Sequence, residues 1–182
     1  ISLPEVTAAP GEKVRVPVQI SALAAGDEIF SSNMDMRFDA SVILLDRVDV
    51  SRTGSLSASW IVAANVRQLP EGDVSEGQVL IGAATARDKI TSDGTFFYIE
   101  IEVATDAPIG STSALSIQKG LLNNGEPKAT ITNGSLTVVG ERIKADFTAI
   151  PQEGIAPLEV NFTDQSSGDI ETYAWDFGDG DT

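Results

Sequence analysis

Lys13-Val14-Arg15-Val16-Pro17-Val18-Gln19-Ile20 sets Val14, Val16, Val18 and Ile20 on one side and Lys13, Arg15, Pro17 and Gln19 on the other. Successive side chains of a strand point to opposite faces, so this period of two predicts a half-buried β-strand. Pro17 lacks an amide hydrogen and cannot donate to a ladder. The strand is therefore expected at a sheet edge, or with that amide position turned to solvent.

The same period runs outward from this stretch. Ser32, Met34, Met36 and Phe38 alternate with Asn33, Asp35 and Arg37. Val42 to Val50 reads as a further apolar strand. Trp60 to Val66 and Gln78 to Ala86 follow, separated by a polar turn at Pro70-Glu71-Gly72-Asp73. Phe97, Ile99, Ile101 and Val103 alternate with Phe96, Tyr98, Glu100 and Glu102. Leu115 with Ile117, then Ile131, then Leu136 with Val138 complete the set. Gly, Asp, Asn, Ser and Pro clusters punctuate the runs, and no segment carries a helical stripe over eleven residues or more. Nine short strands in about 140 residues predict an all-β fold, an antiparallel β-sandwich of jelly-roll type.

The first domain is expected over residues 1–139, with its boundary at Val139-Gly140-Glu141-Arg142 and a short linker over 140–144. A second alternating run (Ala145, Phe147, Ala149) opens a smaller unit over 145–182. Tyr173-Ala174-Trp175-Asp176-Phe177-Gly178-Asp179-Gly180 predicts a half-buried strand ending in a tight turn. Three strands cannot close a sandwich, so Phe147, Leu158, Phe162, Trp175 and Phe177 would lack an opposite sheet. Leaving such side chains wet forgoes about 1.5–3 kcal/mol each. The unit is expected to pack on the first domain, pair with another copy or fluctuate, and the sequence to be a segment of a larger modular protein.

Composition narrows the function. Twelve Lys and Arg against 27 Asp and Glu give a net charge of −15, which repels phosphate backbones. Nucleic acid and anionic membranes are therefore poor partners, and no membrane insertion is expected in this segment. No apolar run approaches the about 20 residues that span a bilayer, and any export leader is expected outside this sequence. Cysteine and histidine are both absent. Thiol, Ser-His-Asp and zinc chemistries therefore lack their usual groups, and no disulfide framework exists.

The remaining chemical candidates are acidic. Asp176, Asp179 and Asp181 bunch around glycines and offer oxygen donors of the kind calcium takes, but not at EF-hand spacing, so no calcium site is assigned to them. A glycosidase needs two carboxylates across a cleft. Asp35 with Glu100 or Glu102 on sandwich faces offers no evident catalytic acid, and the chain is read as non-catalytic, with no metal site. Asn133-Gly134-Ser135 and Asn161-Phe162-Thr163 are glycosylation sequons.

Several motifs, in one order, resemble the cohesin domain. They are Gly11-Glu12-Lys13-Val14-Arg15-Val16-Pro17-Val18, Ser32 to Leu44, Ile90-Thr91-Ser92-Asp93-Gly94-Thr95-Phe96, Ala107-Pro108-Ile109-Gly110, Gly120-Leu121-Leu122-Asn123-Asn124 and Asn133-Gly134-Ser135-Leu136-Thr137-Val138. Ala40 stands where the family commonly has Pro. The last forty residues, with Trp175-Asp176-Phe177-Gly178-Asp179-Gly180, resemble the opening of a PKD domain, an immunoglobulin-like extracellular module. The cohesin resemblance implies a nine-stranded jelly roll. One flat face of it, from the third, fifth, sixth and eighth strands, would grip a helical dockerin. It also implies that calcium rides on the dockerin and that this chain needs no cofactor, in a secreted or cell-surface setting.

The binding residues implied on that face begin with Asn33, where the family often has a contacting Asp or Asn, and with Asp35 and Arg37, which alternation turns outward. With Trp60 in the core, Ile61, Ala63 and Asn65 face out as an apolar-centred patch. Thr85 sits near a position where many cohesins carry Glu. Leu121 and Leu122 are read as loop residues beside the face, one an anchor or both packing the loop. The rival reading is a carbohydrate-binding module with Phe96 and Tyr98 as a sugar platform, polysaccharide otherwise being reached through the parent protein. A structural spacer is the third.

Overall fold

The computed structural model describes residues 1–44, 46, 48–68, 76–140, 144–168 and 170–177. The chain divides into two compact units, Ile1–Val139 and Gly140–Thr182. In the first, the strands are β1 (Glu5–Ala8), β2 (Lys13–Ile20), β3 (Ser31–Asp39), β4 (Asp49–Ser51), β5 (Ile61–Gln68), β6 (Glu76–Ala84), β7 (Gly94–Glu102), β8 (Thr112–Leu122) and β9 (Gly134–Val138). They form a six-stranded sheet in the order β1-β9-β8-β3-β6-β5 and a three-stranded sheet in the order β2-β7-β4. All pairs are antiparallel except β1 with β9.

The two sheets close over one core, as alternation requires. Val16, Val18 and Ile20 of β2 and Phe97, Ile99 and Ile101 of β7 supply one side. Met34, Met36 and Phe38 of β3, Val79 and Ile81 of β6, and Leu115 and Leu136 supply the other; all are buried. β2 is an edge strand, where the missing amide of Pro17 costs no ladder bond.

Four expectations need correction. The strand read over Val42 to Val50 is only the three residues of β4. Asp39 ends β3 in a turn, its Oδ1 accepting from Ser41 N at 2.8 Å and Ser41 Oγ at 2.6 Å. Ile43 and Leu44 then bond back to Asp39 O and Glu102 O. Leu45 and Arg47 lie outside the described residues, as does the Pro70–Asp73 turn. Secondly, Ile131 belongs to no strand and packs over Gly120, whereas Glu5–Ala8 is one. Its short mixed sequence carries no clear alternation, and pairing with β9 makes it a strand. A Cβ on Gly134 would lie 2.2 Å from Pro4 O, so glycine there lets the incoming chain reach β9.

Thirdly, Phe96 is buried rather than outward. Val18 pairs with Phe97 but Gln19 with Thr95, so Phe96 is the extra residue of a β-bulge. The bulge turns Phe96 and Phe97 both into the core, and Phe96 meets Trp60 edge-on at 5.3 Å between centroids. The motif that follows Ile90 has a structural role as well. Asp93 accepts from Ala22 N at 2.9 Å and Leu23 N at 3.0 Å, holding Ala22 at φ 61°. These two backbone bonds, that to Leu23 first, hold the Asp93 carboxyl below its ordinary value.

In the second unit, β10 (Phe147–Ile150) pairs antiparallel with β11 (Asn161–Asp164). Phe147, Phe162, Trp175 and Phe177 cluster, with centroid separations from 4.9 to 6.1 Å. The fourth correction falls here. Residues 170–177 join no strand, although their sequence alternates; alternation makes a strand only where a neighbour completes the ladder. The Gly178-Asp179-Gly180 turn lies outside the described residues. Within this unit Phe147, Phe162 and Phe177 stay exposed.

Two outcomes follow from this packing. Phe96→Ala should cost about 3–5 kcal/mol in urea unfolding, as a buried aromatic truncation. The Asp93 carboxyl is lowered in the folded state, so its contribution is complete above the ordinary value of 3.8 and is lost as pH falls through the lower folded value. Asp93→Asn should therefore flatten the acid limb of stability against pH, and an unchanged limb would remove this account.

Candidate partner-binding face

The outer face of β8-β3-β6-β5 is fixed by what these strands bury. Paired residues on neighbouring strands point the same way. Register therefore aligns Ala63, Gly82, Asn33 and Leu121 in one row across four strands. The next row is Asn65, Leu80, Asp35 and Lys119, and the third is Arg67, Gln78, Arg37 and Ser116. Ile61 and Ala84 pair at the end of β5 and β6 beyond the first row.

The two ends of this face differ in chemistry. Toward Ile61 it is apolar and shallow: Ile61 is 80% exposed and Leu80 36%, with exposed Ala63 and Ala84 between. Toward Arg67 it is a hydrogen-bonded polar network. Gln78 donates Nε2 to both Asp35 oxygens at 2.8 Å and accepts from Arg67 Nε at 2.6 Å. Arg37 Nε donates to Asp35 Oδ1 at 3.3 Å, and its Nη1 approaches Glu76 Oε1 at 3.5 Å. Gln78 is only 2% exposed although it points outward, because its neighbours roof it. Its amide ties a cation and a carboxylate on neighbouring strands into one fixed array, so the side chains are ordered before any partner arrives.

Of the residues read from the sequence, Asn33, Asp35, Arg37, Ile61, Ala63 and Asn65 all lie on this one face, and Leu121 closes the first row. Leu122 does not: it ends β8, faces inward beside Ser32 and is 4% exposed, and since both leucines lie in the strand, their reading as loop residues is corrected. Alternation separates the two leucines once β8 extends to Leu122. Thr85 lies just past β6, its Oγ1 accepting from Arg87 N and Asp88 N at 3.2 Å each, so it shapes a turn at the rim.

Leu80, Gly82, Ala84 and Gln78 were not singled out in the sequence. Their signal was available, since Gly82 and Leu80 alternate with buried Ile81 and Val79, but their importance depends on which strand lies beside them. Phe30, 45% exposed at the rim, was also missed. Asn123 places it: Asn123 Oδ1 accepts from Phe30 N at 2.9 Å and Ser31 N at 3.2 Å, and its Nδ2 donates to Glu28 O at 2.6 Å. Asn123 sits at φ 45°, a conformation asparagine tolerates better than most residues.

The opposite sheet offers no aromatic platform from Phe96 and Tyr98. Phe96 is in the core, and the Arg15 guanidinium lies 3.6 Å over the Tyr98 ring. Asn133, part of a sequon, accepts from Ile117 N at 2.9 Å. Among the described residues no group of three acidic side chains is arranged to hold a metal ion, and no helix is long and apolar enough to cross a membrane. Asp179 and Asp181 lie outside the described residues.

A family model described as the cohesin domain matches residues 1–140. No curated protein matches the chain. Among solved structures, it is similar to the sixth cohesin of scaffoldin B from Acetivibrio cellulolyticus, solved in complex with a mutant Cel5 dockerin. The identity is 21% and the TM-score 0.56, over 75% of this chain and 96% of that one. A type I cohesin–dockerin complex from Clostridium thermocellum, Coh-OlpA with Doc918, matches at 19% identity and TM-score 0.57, over 75% of this chain and 96% of that one. A non-cellulosomal cohesin from the archaeon Archaeoglobus fulgidus matches at 22% and 0.55, over 76% of this chain and 88% of that one. These likenesses show a shared sandwich fold.

Gln78→Met keeps the side-chain length and removes the amide. It should cost about 1–3 kcal/mol by leaving Asp35 and Arg67 short of a buried partner, read by urea unfolding with strand content unchanged. A neutral result would mean that water replaces the amide without loss.

Proposed function

This chain belongs to the cohesin domain family, and on that premise we propose that the outer face of β8-β3-β6-β5 docks a dockerin-like partner module. Cohesin domains are non-catalytic protein-interaction modules, so the chemistry to explain is recognition. The observation that carries the reading is the division of this one face. An apolar end around 80%-exposed Ile61 adjoins the preformed Arg67–Gln78–Asp35–Arg37 network. Stable interfaces combine a desolvated apolar centre with a polar surround, and prior ordering lowers the entropy lost on docking.

The partner is read as a helical module on the cohesin resemblance, dockerins being helical, and the open rows of this face offer it side chains rather than a strand edge. Calcium enters on the partner's side, so none is assigned to this chain. The setting is read as extracellular or at the cell surface, in the assembly of multi-protein complexes. Residues 145–182 are read as a PKD-like segment, supported by the Trp-Asp-Phe run and by the Phe147–Phe162–Trp175–Phe177 cluster.

The test is capture of purified dockerin modules by the full chain, with calcium and with EDTA. Binding is expected with calcium and lost with EDTA. Ile61→Asp should weaken it at least about 100-fold, near 2.7 kcal/mol, by placing a charge at the apolar centre. Asn33→Ala combined with Asp35→Ala should weaken it too. A chain that captures no dockerin would favour the spacer reading, and variants that bind as well as the parent would place the docking surface elsewhere on the chain.

A further inference from the structure

We infer that Gly82 is a specificity-determining residue, the floor of a dent that receives one bulky apolar side chain from the docked helix. The inference rests on the platform reading above and adds to it what kind of side chain the partner must present. Glycine inside a strand loses packing and backbone entropy, so its presence there needs a cause. For the other glycines that lie within strands, the cause is internal to the chain. A Cβ on Gly77 would meet the Phe38 ring at 2.4 Å, one on Gly120 the Ile131 side chain at 2.7 Å, and one on Gly134 the Pro4 carbonyl at 2.2 Å; Gly94 has φ 150°.

Gly82 has neither cause. Its φ is not in the left-handed region, and a Cβ there would meet only Asn33 Oδ1, at 3.8 Å, an ordinary contact. Among the described residues, none comes close enough to forbid a Cβ at this position. Its row neighbour on β5 is Ala63, and the next outward residue along β6 is Ala84, both exposed. Three small residues together therefore leave the sheet uncovered between Ile61, Leu80 and Asn33. The walls at Ile61 and Leu80 are apolar and exposed, so the complementary group is a large aliphatic or aromatic side chain, with Asn33 at the rim for a polar neighbour on the same helix.

The experiment separates this from an ordinary structural glycine, because fold and binding should move in opposite directions. Gly82→Val and Gly82→Leu, in the full chain, are expected to melt at the same temperature as the parent or higher. Affinity for the calcium-loaded dockerin that the parent captures should fall at least about 30-fold, and Gly82→Ala should give a smaller loss. Trimming the partner's largest apolar residue on its docking helix to Ala should weaken binding to the parent and cost much less against Gly82→Leu. Full affinity in Gly82→Val overturns the inference. So does a lowered melting temperature, which would make the glycine structural. If Gly82→Val binds normally while Ile61→Asp does not, the platform stands and only the dent is wrong. If the parent captures no dockerin from a panel including the Cel5 and Doc918 modules, both readings fall.

Discussion

β3 is hydrogen-bonded along both edges, to β6 across the nine residues Ser31–Asp39 and to β8 from Ser32 to Arg37. Met34, Met36 and Phe38 are buried on one side of it. Sliding this strand by one residue would expose those side chains and bury Asn33, Asp35 and Arg37 instead. Losing burial of large apolar side chains at about 1.5–3 kcal/mol each makes that slip prohibitive. The core therefore fixes the outer face: because β3 cannot shift, neither can the rows that its neighbours complete.

That constraint lets a chain of net charge −15 hold an open sheet face in one fixed arrangement. Recognition by a flat sheet depends on side chains being in place beforehand. At the polar end this is achieved by Gln78, whose amide bonds Arg67 and Asp35 across two strand pairs. At the apolar end it is achieved by omission, with Gly82, Ala63 and Ala84 leaving the backbone open. One end is ordered by hydrogen bonds and the other by the rigidity of the sheet, so a partner docking here would order few groups on this side. Asn123 extends the same logic to the rim by clamping Glu28 to Ser31 through three hydrogen bonds.

The second unit shows the converse. Its two strands bring Phe147, Phe162, Trp175 and Phe177 together, yet Phe147 and Phe177 each remain 57% exposed. Apolar alternation supplies one layer only, and a layer without a facing layer buries half of what it offers. The first unit differs in having two sheets rather than in having better strands.

Period two was legible in the sequence wherever a strand was long. With the missing amide of Pro17 pointing to an edge for β2, it gave the core face of β3 and the phase of β5, with Trp60 inward and Ile61 outward. These follow from the covalent geometry of an extended chain, which sends neighbouring side chains to opposite faces whatever the fold. It misled where a single residue breaks the count. The bulge in β7 put Phe96 into the core, and the extension of β8 to Leu122 set Leu121 outward and Leu122 inward. The strand at β1 exists only because β9 lies beside it. Gln78 and Gly82 acquire their meaning from Asp35 and Asn33, more than forty positions earlier in the chain. Alternation along one strand is a local property, whereas the neighbour across a ladder is chosen by the packing of the whole sandwich, and that only the tertiary structure decides.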